Sequence, residues 1–91
     1  MKQYWYNGPL SAGRVALVGG PYPTRDAAIA AKHEDAVFAD EHWPNDWPWF
    51  MRWVAIELPR GDYITARMAS DTGHGPIACV AFTGHEARSE T

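Results

Sequence analysis

Four tryptophans stand between positions 43 and 53 of this chain, and two prolines separate them. Pro44 and Pro48 lack a backbone N–H, and their rings clash with the preceding turn, so neither can lie inside a helix. A helix that arrives from the N-terminal side must therefore end before Pro44, and we interpret residues 42–48 as a loop. Since 91 residues make one small domain, that domain has to place four large rings close together.

A helix before this loop is predicted from capping and propensity. Thr24 can accept a hydrogen bond from an N–H of the first turn, and Asp26 puts a negative charge at the positive end of the helix dipole. The alanine-rich stretch 27–32 has high helix propensity. We predict a helix from Arg25 to about Ala39. Its apolar stripe, interrupted by Glu34, comprises Ala27, Ala30, Ala31, Val37 and Phe38.

Strands are predicted on both sides of this helix. Residues 2–7 and 14–18 predict two strands before it, and residues 49–58, 63–70 and 77–83 predict three strands after it. The predicted fold class is α+β, an antiparallel β-sheet of about four or five strands with one α-helix packed on one face, in the order β(β)αβββ. We assign 1–83 to a single α+β domain, and 84–91 to a flexible polar C-terminal tail.

The charge balance and the cysteine count exclude several classes of protein. Acids outnumber Lys and Arg by 11 to 8, and the net charge of -3 argues against direct binding of nucleic acid. A single cysteine cannot staple a secreted mini-protein, and the N-terminus has no apolar segment typical of a signal peptide. The apolar stretches are far shorter than the ~18 residues of a membrane span. We therefore expect a cytoplasmic protein without membrane contact.

The catalytic and metal-binding motifs are incomplete. His33 begins an H-E-x-x-H pattern, but Val37 stands where the second ligand belongs. Cys79 lies in an apolar run, which favours a buried and inert thiol. The sequence thus predicts no catalytic residue, no metal and no cofactor. One alternative stays open, a small metal-dependent or Cys/His enzyme in which His74, Cys79 and His85 converge.

Acidic and aromatic side chains coincide in one segment. Residues 33–50 hold five acids and neither Lys nor Arg, a formal charge of -5. One helix cannot cover both the sheet and four clustered indoles, so we expect part of the ring area to stay exposed and to anchor a partner. The carboxylates would steer a basic partner towards it. The predicted partner-binding residues are Glu34, Asp35, Asp40, Glu41, Trp43, Asp46, Trp47 and Trp49.

The same rings allow other functions. They could stack on sugars or on single-stranded bases, although the acids would repel a nucleic-acid backbone. A structural subunit could instead bury the face formed by Trp49, Met51 and Trp53 on a second copy. The sequence therefore leaves both a monomer and a homodimer open.

Residues 22–30, Tyr-Pro-Thr-Arg-Asp-Ala-Ala-Ile-Ala, resemble the Thr-Arg-acid-x-Ala-Ile-Ala helix start of small proteins encoded by phages and prophages. Some small, acidic α+β phage proteins are anti-CRISPR proteins, which occupy a nucleic-acid- or effector-binding surface of a host nuclease complex. That class shares no motif, so the resemblance assigns no site residue. It implies a non-enzymatic phage- or mobile-element-encoded inhibitor in the host cytoplasm, with a partner such as a Cas effector subunit that presents a basic surface.

Overall fold

A computed structural model describes residues 3–47, 51–73 and 76–82 of the chain. Within them, strands and helices combine in one α+β arrangement with an antiparallel sheet, which confirms the predicted class. In chain order the elements are β1 (Tyr4–Ser11), β2 (Arg14–Ala16), β3 (Gly19–Tyr22), α1 (Arg25–Ala30), α2 (Lys32–His42), β4 (Trp53–Leu58), α3 (Ala66–Thr72) and β5 (Cys79–Ala81).

Strand β1 organises the sheet, because it pairs antiparallel with three of the other strands. Strand β4 runs along it from the pair Tyr4↔Leu58 to the pair Pro9↔Trp53. Strands β3 and β2 pair with its beginning and its end, and β5 extends the sheet from β2. Gly8 is required at the middle of β1, since a Cβ there would overlap the carbonyl oxygen of Ala16.

Two groups of buried side chains fill the interior. One consists of residues from the sheet and from the connection after β2: Tyr6, Val15, Leu17, Val54 and Ile56. The other lies under the helices, with Val18, Ala39 and Ala66 at its centre. Partly buried aromatic side chains pack against this second group: Phe38, Trp43, Trp47 and Trp53. Trp43, Trp47 and Trp53 are therefore part of the packing and only partly exposed.

The predicted helix is present as two segments, α1 and α2, which meet at Ala31. Thr24 caps the first segment as expected, accepting a hydrogen bond from the N–H of Ala27 at 3.1 Å. The predicted apolar stripe is partly wrong, because Val37 is 46% exposed. The buried positions are Ala28, Asp35 and Ala39.

The prediction of a strand over residues 63–70 is wrong, because α3 occupies most of that segment. Thr65 caps this helix by accepting from the N–H of Met68, and Gly73 ends it in the left-handed conformation. Ile64, Ala66 and Met68 alternate with polar residues as they would in a strand, but so short a pattern also fits a helix. The cap residues at both ends are the more informative signal.

The start of α3 is also fixed by backbone far away in the chain. The N–H groups of Ala66 and Arg67 donate to the carbonyl oxygens of Leu17 and Val18, at 2.9 and 3.3 Å. These are two of the donors that the first turn of a helix cannot satisfy internally. The connection between β2 and β3 therefore serves as the docking point of α3.

Other predicted boundaries shift. Strand β4 begins at Trp53 rather than at Trp49, and β5 covers only Cys79–Ala81 of the segment 77–83. The predicted tail at 84–91 lies outside the described residues.

Candidate functional site

The inward side of α2 carries a carboxylate in a fully polar setting. Asp35 is 1% exposed, and both of its oxygens accept hydrogen bonds. Oδ2 accepts from Asn7 Nδ2 at 2.8 Å and from the Tyr22 hydroxyl at 2.7 Å. Oδ1 accepts from Arg67 Nε at 2.6 Å. A buried carboxylate is stable only with such partners, and here three segments remote in sequence supply them.

Asn7 holds this carboxylate in register with the sheet. Its Nδ2 also donates to the carbonyl oxygen of Ala28 at 2.9 Å, and its Oδ1 accepts from the N–H of Gly19 at 3.2 Å. A Cβ on Gly19 would overlap the carboxylate of Asp35, so only glycine lets the two segments approach. The amide of one buried asparagine thus ties β1, α1, β3 and α2 together.

Arg67 supplies the positive charge from α3. Its guanidinium carbon lies 4.4 Å from the ring centroid of Phe38, while its Nε donates to Asp35. The arginine side chain is 41% exposed, so one edge of the guanidinium remains in water. The ion pair is therefore half-buried and is held in place by a ring on α2.

The hydroxyl of Tyr22 completes the group that we call the Asp35 network, which consists of Asn7, Tyr22, Asp35 and Arg67. Burial raises the pKa of Tyr22 well above its usual value, and the hydrogen bond to Asp35 raises it further. Because every oxygen of the carboxylate already has a donor, the network is suited to holding elements together rather than to binding a ligand.

Asp35 was expected among the exposed partner-binding acids, and the structure places it inside instead. The reason is helix periodicity, since Asp35 lies on the same side of the helical segment as Ala28 and Ala39, at spacings of seven and four residues. Asn7, Tyr22 and Arg67 were not predicted as functional residues. A polar side chain within the aromatic first strand was the one available signal for Asn7.

The outward side of α2 carries a groove of about 270 Å³. Four of its lining residues come from α2 at the helical spacing i, i+3, i+4 and i+7. The other two are indoles, one in the loop after α2 and one at the start of β4. The described lining consists of His33, Ala36, Val37, Asp40, Trp47 and Trp53.

Two of the predicted partner-binding residues, Asp40 and Trp47, line this groove. The carboxylates of Glu34, Asp40, Glu41 and Asp46 are exposed, as expected. Trp43 and Trp47 are half-buried, with ring centroids 5.6 Å apart. Trp49 lies outside the described residues. We call the outer face of α2 the surface formed by Glu34, Val37, Asp40, Glu41, Asp46, Trp47 and Trp53.

A run of rings fixes the end of α2 beneath this face. The imidazole of His42 stacks on Phe38 with centroids 4.1 Å apart, and its Nδ1 lies 2.9 Å from the Phe38 carbonyl oxygen. The ring centroids of His42 and Trp43 are 5.7 Å apart, and the ring of Trp47 packs against that of Trp43. Ring contacts of this kind are specific in geometry, so the loop after α2 has a defined path up to Trp47.

The residues of the enzyme alternative are placed only in part. Cys79 is exposed at one end of β5, contrary to the expected burial, because β5 has an exposed–intermediate–exposed pattern and pairs with β2 alone among the described strands. His74 and His85 lie outside the described residues. Over residues 3–47, 51–73 and 76–82, His, Cys, Asp and Glu side chains form no group of three that could hold a metal ion.

No described helix combines the length and the apolar character needed to cross a membrane. No family model, curated protein or solved structure matches the chain. The function of the outer face of α2 must therefore be inferred from its own residues.

Proposed function

We propose that this chain is a non-enzymatic binding protein that docks the outer face of α2 on a basic surface of a partner protein. The observation that carries the proposal is the groove between α2 and two indoles, with an acid in its lining and three further exposed carboxylates in the same segment of the chain. Apolar and aromatic area at the centre of a patch, with charges at its rim, is the usual anatomy of a protein interface.

The apolar part of this face is supplied by Val37 and the two indoles. Val37 is one of the most exposed large hydrophobic residues described, and Trp47 and Trp53 are half-buried. Aromatic anchors held by neighbouring rings lose little conformational freedom on binding, so they favour affinity. The part of Trp47 that is packed neither on Trp43 nor on the buried group under the helices is available to a partner.

The charged part of this face favours a partner rich in Arg and Lys. Acids around an apolar centre raise the association rate with a positive surface, and this effect weakens as salt increases. Surfaces that hold nucleic acid are rich in Lys and Arg, because these side chains neutralise phosphates. The specific form of the proposal is therefore a phage- or mobile-element-encoded inhibitor that blocks such a surface, for example on a Cas complex. The resemblance of residues 22–30 to phage-encoded proteins supports this form.

A pair of charge-matched variants tests the proposed surface. The test variant carries Asp40→Lys, Glu41→Lys and Asp46→Lys, and the control carries Glu57→Lys, Asp62→Lys and Asp71→Lys, which are exposed acids elsewhere. Both change the net charge equally. Quantitative capture from a bacterial lysate should enrich the same protein with the wild type and the control, and lose it with the test variant.

Kinetics on the captured partner then separate steering from contact. We expect the association rate of the test variant to fall at least about ten-fold at low salt, with a flatter salt dependence. Equal rates for the test and control variants would contradict the proposed surface.

The inhibitor form needs a separate measurement. Bacteria that carry an active CRISPR–Cas system and express the chain should be plated with a phage which that system targets. Restored plating by the wild type, but not by the test variant, is the expected result. Unchanged plating against representatives of each CRISPR–Cas type would contradict the inhibitor form and leave the binding surface to be judged by the capture experiment.

A further inference from the structure

The groove on the outer face of α2 is small, apolar along most of its lining and acidic at one point. At about 270 Å³ it lies just below the ~300–1,000 Å³ typical of pockets for whole small molecules. Ala36 and Val37 supply aliphatic surface, two indoles supply aromatic surface, Asp40 supplies a carboxylate and His33 supplies an imidazole. A cavity of this size and mixture suits one long side chain with an apolar stem and a cationic end.

The protein itself shows twice how an arginine is held by such a combination. The guanidinium of Arg67 lies over the ring of Phe38 while its Nε donates to a carboxylate. The guanidinium of Arg60 lies 4.7 Å from the ring centroid of Tyr63, and its Nε donates to Asp62 at 2.8 Å. In both cases one aromatic ring and one carboxylate hold the same arginine.

The groove offers the same two groups to a cation from outside. Asp40 is the carboxylate, and Trp47 and Trp53 are the rings, which are of the type that binds cations most strongly. Neither lysine nor arginine occurs in the described lining. We infer that this groove receives an arginine side chain of the partner, with its guanidinium against an indole and hydrogen-bonded to Asp40. This inference rests on the proposed function and names the partner's contacting group.

Charge decides between arginine and the other occupants of the groove. An apolar side chain would cover the carboxylate of Asp40 without pairing it, which is unfavourable. A second copy would bring the acids of one outer face against those of another. Arginine is preferred over lysine, since its flat guanidinium can stack on a ring and donate to a carboxylate at the same time.

The probes are N-acetyl-arginine methylamide and its uncharged isostere N-acetyl-citrulline methylamide, titrated at low salt. The readout is the indole N–H resonances of Trp47 and Trp53 in ¹⁵N-labelled protein, assigned with single Trp→Phe variants. The matched variants are Asp40→Asn, which removes the lining carboxylate, and Asp46→Asn, which removes an exposed acid that precedes Trp47 in the chain and is outside the described lining.

We expect the arginine probe to shift both indole resonances. The reference is the affinity of the arginine probe for the wild type. The arginine probe should bind Asp40→Asn about five-fold more weakly, and the citrulline probe should bind the wild type about five-fold more weakly. About five-fold is the value of one exposed cation–ring or ion-pair contact. Asp46→Asn should change the affinity by less than about two-fold.

Three results would overturn the inference. Equal weakening by Asp46→Asn would mean general attraction to an acidic surface, and equal binding of citrulline would mean an apolar groove without charge selection. Indole shifts that depend on protein concentration without any probe would assign the groove to a second copy. In the first two cases, loss of partner capture by the triple charge reversal would still support the proposed function, so the two failures can be told apart.

Discussion

Glu34 and Asp35 are neighbours in the chain, and α2 turns them towards opposite environments. The carboxylate of Glu34 is exposed, whereas that of Asp35 is buried and accepts hydrogen bonds from three side chains. The same contrast separates the two faces of the helix. The inner face holds the fold together through the Asp35 network, and the outer face carries a groove with the carboxylate of Asp40 in its lining.

This difference shows that a count of acids does not describe a surface. Of the five acids in residues 33–50, four lie in solvent and one is an internal anchor. Removing an internal acid lowers stability, because its buried hydrogen-bond donors lose their acceptor. Removing an external acid changes association with a partner more than stability, because water already hydrates the carboxylate. Substitutions on the two faces should therefore separate into two classes of effect.

Among substitutions on the inner face, Asp35→Ala should lower the free energy of unfolding most. This substitution leaves Asn7, Tyr22 and Arg67 without their shared acceptor, and we expect the free energy of unfolding to fall by about 3–5 kcal/mol. Urea denaturation followed by tryptophan fluorescence measures it. A loss similar to that of Glu34→Ala would show that the network does not stabilise the fold.

Gly19→Ala tests the close approach that the network requires. The added methyl group would overlap the carboxylate of Asp35, so we expect a loss of about 1–3 kcal/mol from displaced packing. Gly13→Ala is the control, since Gly13 has φ of +76° and open space around its Cα. The free energy of unfolding of that control should fall by only about 1 kcal/mol, from left-handed strain. Its stability above about pH 10 should change with pH as that of the wild type does.

Tyr22→Phe tests the same network through pH. The pKa of the phenol is raised in the folded state, so the unfolded chain loses this proton first as pH increases. The stabilisation is complete below about pH 10, the ordinary pKa, and declines as pH rises towards the folded value. We expect Tyr22→Phe to cost about 1.5 kcal/mol at pH 7 and to reduce the loss of stability above pH 10. Parallel Tm profiles of wild type and variant up to pH 11 would contradict this.

Asp40→Asn tests the outer face and should have the smallest effect on stability. Its carboxylate is exposed, so we expect the free energy of unfolding to change by less than about 0.5 kcal/mol. The same urea denaturation measures it. A loss as large as that of Gly19→Ala would mean that the outer face is also a structural element, and the contrast between the two faces would fail.

The sequence predicted the parts of this fold that depend on local chemistry. Thr24 caps α1 as expected, the helix ends before Pro44, and the sheet is antiparallel. The sequence predicts a strand where α3 lies, because apolar residues alternate there over a short stretch, although Thr65 and Gly73 mark the ends of a helix. Stop and start signals are more reliable here than periodicity over a few residues.

The site was predictable only in its outward half. Exposed acids and half-buried indoles follow from their clustering in one segment, and Glu34, Asp40, Glu41 and Asp46 are exposed as expected. The burial of Asp35 depends on donors from β1, β3 and α3, which lie 28, 13 and 32 residues away. No local pattern records which residues will meet at that distance, so the network emerged only from the folded chain.

The start of α3 has a consequence for which substitutions the chain can accept. Proline is ordinarily welcome at the first position of a helix, because the N–H it lacks would have no partner there. In this protein the first N–H, that of Ala66, is bonded to the carbonyl oxygen of Leu17. Proline at position 66 should therefore destabilise this protein, although helices commonly tolerate proline at their first position. The tolerance of that residue is set by a strand connection near the opposite end of the sequence rather than by the helix that it begins.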